Sequence, residues 1–539
     1  MPSGDRPHRR KVAIIGAGAA GMSCASTLAK HPDRFEISLF DVASYTGGQA
    51  TSIPLDEGRY GASWLNDGVQ GGSGIFRHTL NFFRQYGHDP HEVQLQVSFG
   101  KGARSFFTNV FPSPLVDQYA AEIQKLGRVL TWIKRLMPIL GVMPIKVILR
   151  LFRFSRQFTN TMVLPLMALF LGTGNQTPNV SSVLLERLFD DPQMRLWDYD
   201  PDTLLPNQPT MVTFPNLGDF YRDWTGDLRS KGAHIRLNTR VEILHRDSHG
   251  VTLQTHSATT TTTTTTAEPS EPSEPADPPR PEKFDDLVIC IPADEAKSLL
   301  GGLATWRENY VLGGVRFFDD LTITHSDSTY FNRIFETRFK PDLCAEGTTQ
   351  ARKDQIAFAK QQPRSRRDGW DGFAPMYYTH SYSAAPDKIE MGFDCTNYQH
   401  QFREGLGEDG ALAPEPDRHV YQTIFLDQRQ KELWSWEGID ESKIIAKKWW
   451  HQFGHCWQHY MRVVPGMMFI NGKNRTLYAG AWTMVNMHEI ACISGIAAAY
   501  RLGADYDPFD AFAEDCFAKY LLDWDDDAKH WRNNTYIYM

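Results

Sequence analysis

The sequence is short of several things, and each shortage removes a class of protein. Its 539 residues hold only seven cysteines (Cys24, Cys290, Cys344, Cys395, Cys456, Cys492 and Cys516), scattered and with no C-x-x-C pair. An odd, dispersed set excludes a disulfide scaffold and a cysteine zinc site. It fits a reducing compartment, so a cytoplasmic protein is expected. No G-x-S-x-G and no Walker pattern occurs, which leaves hydrolase and nucleotide-triphosphatase readings without support. Positive charge is not in excess: Lys and Arg number 56 against 64 Asp and Glu, for a net charge of −8 and a pI near 6.1. A nucleic-acid partner is therefore not expected. Long apolar runs are missing too. The uncharged stretches, such as Met162 to Leu171, reach roughly half of the ~20 residues a spanning helix needs. What remains is a chain with 41% hydrophobic and 12% aromatic residues, enough for large cores in two or more domains.

The stretch "KVAIIGAGAAGMSCASTLAK", Lys11 to Lys30, carries the strongest local signal. A basic lead, an apolar run and small residues would suit a secretory signal peptide, but the spacing suits a dinucleotide site better. Val12 to Ile15 is a β-branched run of the kind buried in parallel sheets. Gly16, Gly18 and Gly21 then fit G-x-G-x-x-G, and helix formers follow. The first glycine permits a tight turn, the second lets backbone approach pyrophosphate, and the third lets helix pack on strand. The helix start supplies unpaired N–H groups and positive dipole to the phosphates. A second strand, "FEISLFD", ends at Asp41, twenty residues beyond Gly21, where an acid should meet a ribose hydroxyl. Removal of a signal peptide would delete this unit.

Two segments interrupt the ordinary composition. Ser257 to Glu282, rich in Thr, Pro, Ser and Glu, has too little apolar surface to pack. It is expected to be a disordered loop elongating a hairpin between two strands, and such a tract suggests a eukaryotic source. Lys125 to Arg156 carries eight cations (Lys125, Arg128, Lys134, Arg135, Lys146, Arg150, Arg153 and Arg156) and no acid, with apolar residues between them. With the run to Leu171 it reads in two ways. It is a helical cap over the core, or a basic amphipathic element making peripheral membrane contact through 125–171 and admitting a lipophilic substrate.

Further blocks follow: "VASYTGGQA" and "DEGRYGASWLNDG" after Asp41, "FDDLVICIPADEAKSLL" from Phe284, and "RTLYAGAWTMVNMHEIACISGIAAAY" from Arg475. In this order they resemble the flavin-containing amine oxidase superfamily. Within it, "LGGVRFFDDLTITHSD" (Leu312 to Asp327) and "GAWTMVNMHEIACISG" (Gly480 to Gly495) are most similar to the group found beside cyclopropane-fatty-acid synthases. The resemblance implies an α/β fold: a discontinuous FAD-binding Rossmann-like domain with an inserted α+β substrate domain and a helical cap. The FAD-binding domain would comprise 1–95, 211–310 and 475–539. The helical cap would take 96–210 and the substrate sheet 311–474. Carried over residue by residue, Gly16, Gly18, Ala20 and Gly21 surround the pyrophosphate and Asp41 the adenosine ribose. Gly47 and Gly48 form the GG turn, Gly61 and Ala62 a second flavin contact, and Val241 meets the adenine. Gly480 and Ala481 sit at the closing turn. His488 and Glu489 begin the last helix, whose N–H groups point at the flavin N1/O2 edge, where reduction places negative charge.

The chain departs from that pattern in telling places. Gln49 stands where the superfamily usually has Arg, and Ala481 where it has Glu. Amine oxidases carry a lysine on the strand after the "PADEA" region, yet no lysine occurs between Lys297 and Lys340. Met487 replaces the aromatic residue flanking the amine. Amine oxidation is therefore disfavoured. The expected activity is FAD-dependent oxidation or desaturation of a small hydrophobic substrate, lipid-like or a secondary metabolite, by hydride transfer to flavin N5. His488 is the first catalytic candidate and His325 a second, as acid or base. A redox-neutral double-bond isomerase and a flavin-binding protein without turnover are the alternatives.

Other constellations add little. "GLGEDG", Gly405 to Gly410, fits the glycine pattern but follows no apolar strand and carries two acids where phosphate would lie, so it reads as a turn. His451, His455, Cys456 and His459 lack a matching acid or cysteine pair, and no metal is expected. His325 and His400 read as proton carriers near the flavin or as ordinary strand residues. Nothing in the sequence bears on oligomeric state.

Overall fold

The structure, a computed structural model, describes residues 9–191, 194–258, 281–404 and 412–505. The "GLGEDG" turn, Cys516 and the stretch 259–280 of the Thr/Pro-rich tract lie outside them. The chain folds as two compact units.

Of the described residues, the first unit takes 9–51, those within Leu217–Val315, and 462–505. Its centre is a five-stranded parallel sheet in the order His234–Arg236, Phe35–Phe40, Arg10–Ile15, Asp286–Ile289, Thr476–Tyr478. Val12, Ala13 and Ile14 are fully buried, as a continuous apolar strand covered on both faces requires. The helices Ala19–Leu28 and His488–Arg501 pack backbone to backbone. A Cβ on Gly495 would lie 2.0 Å from the Ala20 carbonyl oxygen, and the Ser23 hydroxyl donates to the Cys492 carbonyl at 3.0 Å. A three-stranded antiparallel sheet, Thr239–Arg246, Val251–Ser257 and Glu282–Phe284, completes the unit.

The second unit holds Ser52–Asn216 and Arg316–Met461. Its seven-stranded sheet runs Ile444–Phe453, Phe317–His325, Tyr421–Phe425, Ala385–Asp394, Tyr377–Tyr382, Val97–Phe99, Phe107–Thr108. Helices between Ala120 and Asp190 form a separate layer of it. The expected first piece, 1–95, is divided at Thr51. Strands Gly71–Ser73 and His91–Gln94 both pair with Thr210–Thr213, which draws that stretch into the second unit. The run Met162–Leu171, grouped above with the basic segment as a membrane contact, is core instead. Leu164 through Leu169 and Leu171 are all buried. No helix among the described residues is long and apolar enough to cross a membrane.

Candidate functional site: a dinucleotide cradle

Three glycines build the first turn, each for its own reason. Gly16 sits at φ +104°, and a Cβ there would come within 2.7 Å of the Cys290 carbonyl oxygen. A Cβ on Gly21 would lie 1.8 Å from the Gly16 carbonyl, so the helix touches the turn it leaves. Gly18 has ordinary extended backbone (φ −74°), and an added Cβ would meet nothing nearer than the Gly48 Cα at 4.0 Å. The space beside Gly18 is the space a phosphate needs. Gly47 and Gly48, at φ +111° and +61°, stand across it, Gly47 forming a β-bridge with Gly18. The Gly47 N–H donates to the Ala17 carbonyl at 2.8 Å. Among the described residues none accepts the N–H groups of Ala19 or Ala20, the first of the helix.

Asp41 holds this cradle shut. One carboxylate oxygen accepts from the Ala17 N–H at 2.6 Å, the other from Ala43 at 2.8 Å. Burial raises its pKa while those N–H groups oppose the rise. The strand carrying Val241 begins here, with the Thr239 N–H donating to the Asp41 carbonyl at 2.8 Å. Val241 is buried opposite Thr255. The places carried over for pyrophosphate, ribose and adenine thus lie in one unit, tied through Asp41.

The closing turn is in the same unit. Gly480 (φ +142°) donates its N–H to the Ser494 hydroxyl at 2.8 Å, while Ala481 is partly exposed and Gln49 exposed. His488 and Glu489 are the first residues of the last helix, and both are buried. His488 Nε2 shares a hydrogen bond of 2.7 Å with the Tyr221 hydroxyl, and Nδ1 lies 3.7 Å from Cys492 Sγ. Burial depresses its pKa to about 4, so the ring is neutral at physiological pH. Tyr221 also flanks Gly47, whose Cβ would sit 2.9 Å from its ring. This link between the GG turn and the last helix had no sequence signal.

The second unit holds the other candidates. Gly61 closes the short helix Glu57–Tyr60 in the left-handed conformation, and Ala62 behind it is buried. His325 is a core histidine and not a free acid or base. Its Nδ1 accepts from the Asp327 N–H at 3.2 Å, leaving Nε2–H to donate to Thr423 at 3.0 Å, beneath Tyr330, Phe331 and Tyr421. Burial lowers its pKa to about 3. A histidine depressed in the fold contributes stability above its unfolded pKa of ~6.5 and loses it as pH falls toward the folded value. His325→Gln should therefore be less acid-sensitive than wild type by about 2 kcal/mol between about pH 7.5 and about pH 5. Urea unfolding at the two pH values measures this. An equal pH dependence for both proteins would mean that His325 titrates freely.

His400 stacks on His91 at 3.9 Å and bonds Thr213 at 2.8 Å through Nδ1. With Glu404 these two form the one metal-like group among the described residues. Rings stacked at 17° direct their in-plane lone pairs side by side and not toward one ion. His455 and His459 pack on Phe453, and His451 bonds Asp319 at 2.7 Å. Two features escaped the sequence reading. Arg403 is buried, with Nε and Nη1 lacking partners among the described residues. Lys448, on the strand beside Thr322, reaches Asp67 at 3.0 Å. Both depend on strand pairing that spacing does not reveal.

Comparison with known proteins agrees with this geometry. The family model for an NAD(P)-binding Rossmann-like domain matches residues 14–86. An F-box/kelch-repeat protein of Arabidopsis thaliana is 27% identical over 103 residues, 19% of this chain. The chain spans 30% of that protein's length. Among solved structures, the CLA-producing fatty acid isomerase from P. acnes is 14% identical at a TM-score of 0.52, covering 92% of this chain and 99% of its own. A putrescine oxidase bound to putrescine (10%, TM-score 0.55) and the cyclohexylamine oxidase from Brevibacterium oxydans IH-35A (10%, TM-score 0.54) each cover 92% of this chain and all of theirs. At these identities the likeness is one of fold. The chain shares the α/β fold of these solved structures, and its Rossmann-like domain is assembled from separate pieces.

Proposed function

We propose that the protein is an FAD-dependent oxidoreductase that oxidises or desaturates a hydrophobic, lipid-like or secondary-metabolite substrate. The observation carrying the reading is the gap at Gly18, open toward Gly48 and beneath the unpaired N–H groups of Ala19 and Ala20. A dinucleotide pyrophosphate supplies the negative charge such a gap lacks. In this reading Gly16, Ala20 and Gly21 shape that end, Asp41 would meet the ribose, and Val241 the adenine. FAD bound there supplies hydride acceptance at N5. The chain's own part is to bind, orient and exclude water. Tyr221 fixes the His488 ring, and with it the start of the helix whose positive end favours a reduced, anionic partner. At a pKa of about 4, His488 serves as a neutral hydrogen-bonding group and not as a general acid.

An aliphatic substrate is favoured over an amine because the strand after Ala293–Leu300, Phe317–His325, carries no lysine. The test is an anaerobic titration of the yellow protein with candidate lipids and amines. Bleaching by a lipid, with peroxide formed on readmitting air, is the expected result. Bleaching by simple amines alone would overturn the substrate class. A lipid converted without net reduction or peroxide would make the protein an isomerase, a reaction named for one of the structures of similar fold.

A further inference from the structure

The helices Ala120–Arg135 and Ile145–Leu151 form a hairpin in the second unit, and both pack on the helix Ser182–Asp190. The first arm buries Ile123, Leu126, Val129, Leu130 and Ile133 on that side, the return arm Ile145, Ile148 and Leu149. Polar links close the hairpin at its two ends. The Ser182 hydroxyl donates to the Leu140 carbonyl at 2.6 Å, and Glu122 accepts from the Ser155 N–H at 2.7 Å. The framework is thus saturated on its buried side.

Away from that side the composition inverts. Trp132 (48% exposed), Leu136 (42%), Ile139 (61%), Val147 (41%) and Leu151 (57%) stand in solvent. They follow helical spacing along each arm, as do Arg128, Arg135, Lys146 and Arg150 among them. Five of the fifteen large apolar side chains exposed among the described residues fall in these twenty positions, 132–151. Single exposed apolar residues are ordinary, but a cluster in an otherwise well-packed unit marks a contact surface. Its charge selects the partner. From Lys125 to Arg156 there are eight cations and no acid, on a chain whose net charge is −8. Lys134 is paired with Asp190 at 2.6 Å, whereas Arg128, Arg135, Lys146 and Arg150 form no ion pair with a described residue. A protein partner or second copy would need a matching acidic, apolar face. An anionic bilayer offers phosphate charge above hydrocarbon, in the layered order this surface presents.

We propose that this hairpin seats the protein on an anionic phospholipid membrane. Trp132, Leu136, Ile139 and Leu151 enter the boundary between headgroups and acyl chains, and Arg128, Arg135, Lys146 and Arg150 meet the lipid phosphates. The test is flotation of the full-length, flavin-loaded protein with phosphatidylcholine vesicles and with vesicles also containing phosphatidylserine, at low and high salt. The expected result is binding to the phosphatidylserine vesicles at least about tenfold stronger than to phosphatidylcholine alone, weakened by salt. A Trp132→Ser/Ile139→Ser/Leu151→Ser variant should lose at least about tenfold in binding. Those three side chains are exposed, so its melting temperature and flavin spectrum should stay at wild-type values. Arg135→Glu/Lys146→Glu/Arg150→Glu should lose the phosphatidylserine preference. Wild-type protein that stays unbound by both vesicle types, or a serine variant that floats like wild type, overturns the proposal. So does a solution dimer that the serine variant dissociates, which would make the face a self-interface. Flavin-free Gly18→Val protein should float as well as wild type, so this surface and the cofactor reading can fail separately.

Discussion

Gly18→Val protein will purify without a flavin spectrum while melting within a few degrees of wild type. The pairing of those two outcomes follows from the geometry around one backbone position. Gly18 has extended φ and ψ that valine also adopts, and a Cβ there would clear its nearest neighbour, the Gly48 Cα, by 4.0 Å. The protein itself therefore leaves room for the new side chain. The branched methyl groups would instead fill the gap reserved for pyrophosphate, so the loss falls on the ligand. Expulsion of the phosphates should cost at least about 3 kcal/mol, or roughly a hundredfold in affinity. Gly21→Val is the contrasting case. Its Cβ would stand 1.8 Å from the Gly16 carbonyl, in the contact between helix and strand, so the same substitution three residues on should cost stability first. Absorbance of the purified proteins, before and after incubation with excess FAD, and thermal melting read both effects. A Gly18→Val protein with wild-type flavin content would remove the cradle from this turn.

How much of this was legible beforehand depended on sequence distance. The strand, glycine turn, helix and terminal Asp41 lie within about thirty residues, and their geometry is dictated by local sterics that spacing reveals. The parallel order of Arg10–Ile15 with Asp286–Ile289 and Thr476–Tyr478 was readable only through resemblance, because nothing local predicts which distant strand closes a sheet. The division at Thr51 was not readable. It rests on Gly71–Ser73 and His91–Gln94 adding to Thr210–Thr213, more than a hundred residues away. Composition marked Lys125–Arg156 as unusual but could not separate the buried Leu164–Leu171 from the exposed Trp132 and Ile139. Apolar residues facing core and facing solvent have the same letters. His325 shows the converse. Its place at a strand end suited catalysis as well as packing, and only its two hydrogen bonds decide for packing.

Glu308→Ala will destabilise the protein by about 3–5 kcal/mol, a large part of the ~5–15 kcal/mol that holds a typical domain. Glu308 and Arg246 are each 1% exposed and face one another through two parallel hydrogen bonds, one of 2.8 Å. Glu308 also accepts from the Tyr478 hydroxyl and from the N–H and hydroxyl of Thr305 at 2.7 and 2.8 Å, closing a capping box on the helix Trp306–Leu312. One carboxylate thus joins the strand Thr239–Arg246, that helix and the last strand of the parallel sheet. Truncation leaves Arg246 buried with the Thr476 hydroxyl at 3.1 Å and the Leu303 carbonyl at 2.9 Å, and no counter-charge. Arg246→Met/Glu308→Leu should regain most of the loss, since removing both charges ends the desolvation cost. It should not regain all, because Tyr478 and Thr305 still lose their acceptor. Burial pushes the Glu308 pKa up, but the bonds from Arg246, Tyr478 and Thr305 outweigh it and hold the group below its ordinary value. A depressed carboxylate contributes stability above its unfolded pKa and loses it as pH falls through the folded one. The Glu308→Ala penalty should accordingly be full at neutral pH and shrink below about pH 4. Urea unfolding of wild type, both single variants and the double variant gives the coupling energy directly. A single-variant cost under about 1 kcal/mol, the range of exposed pairs, would mean that water reaches the pair and that the three elements are joined by apolar packing alone.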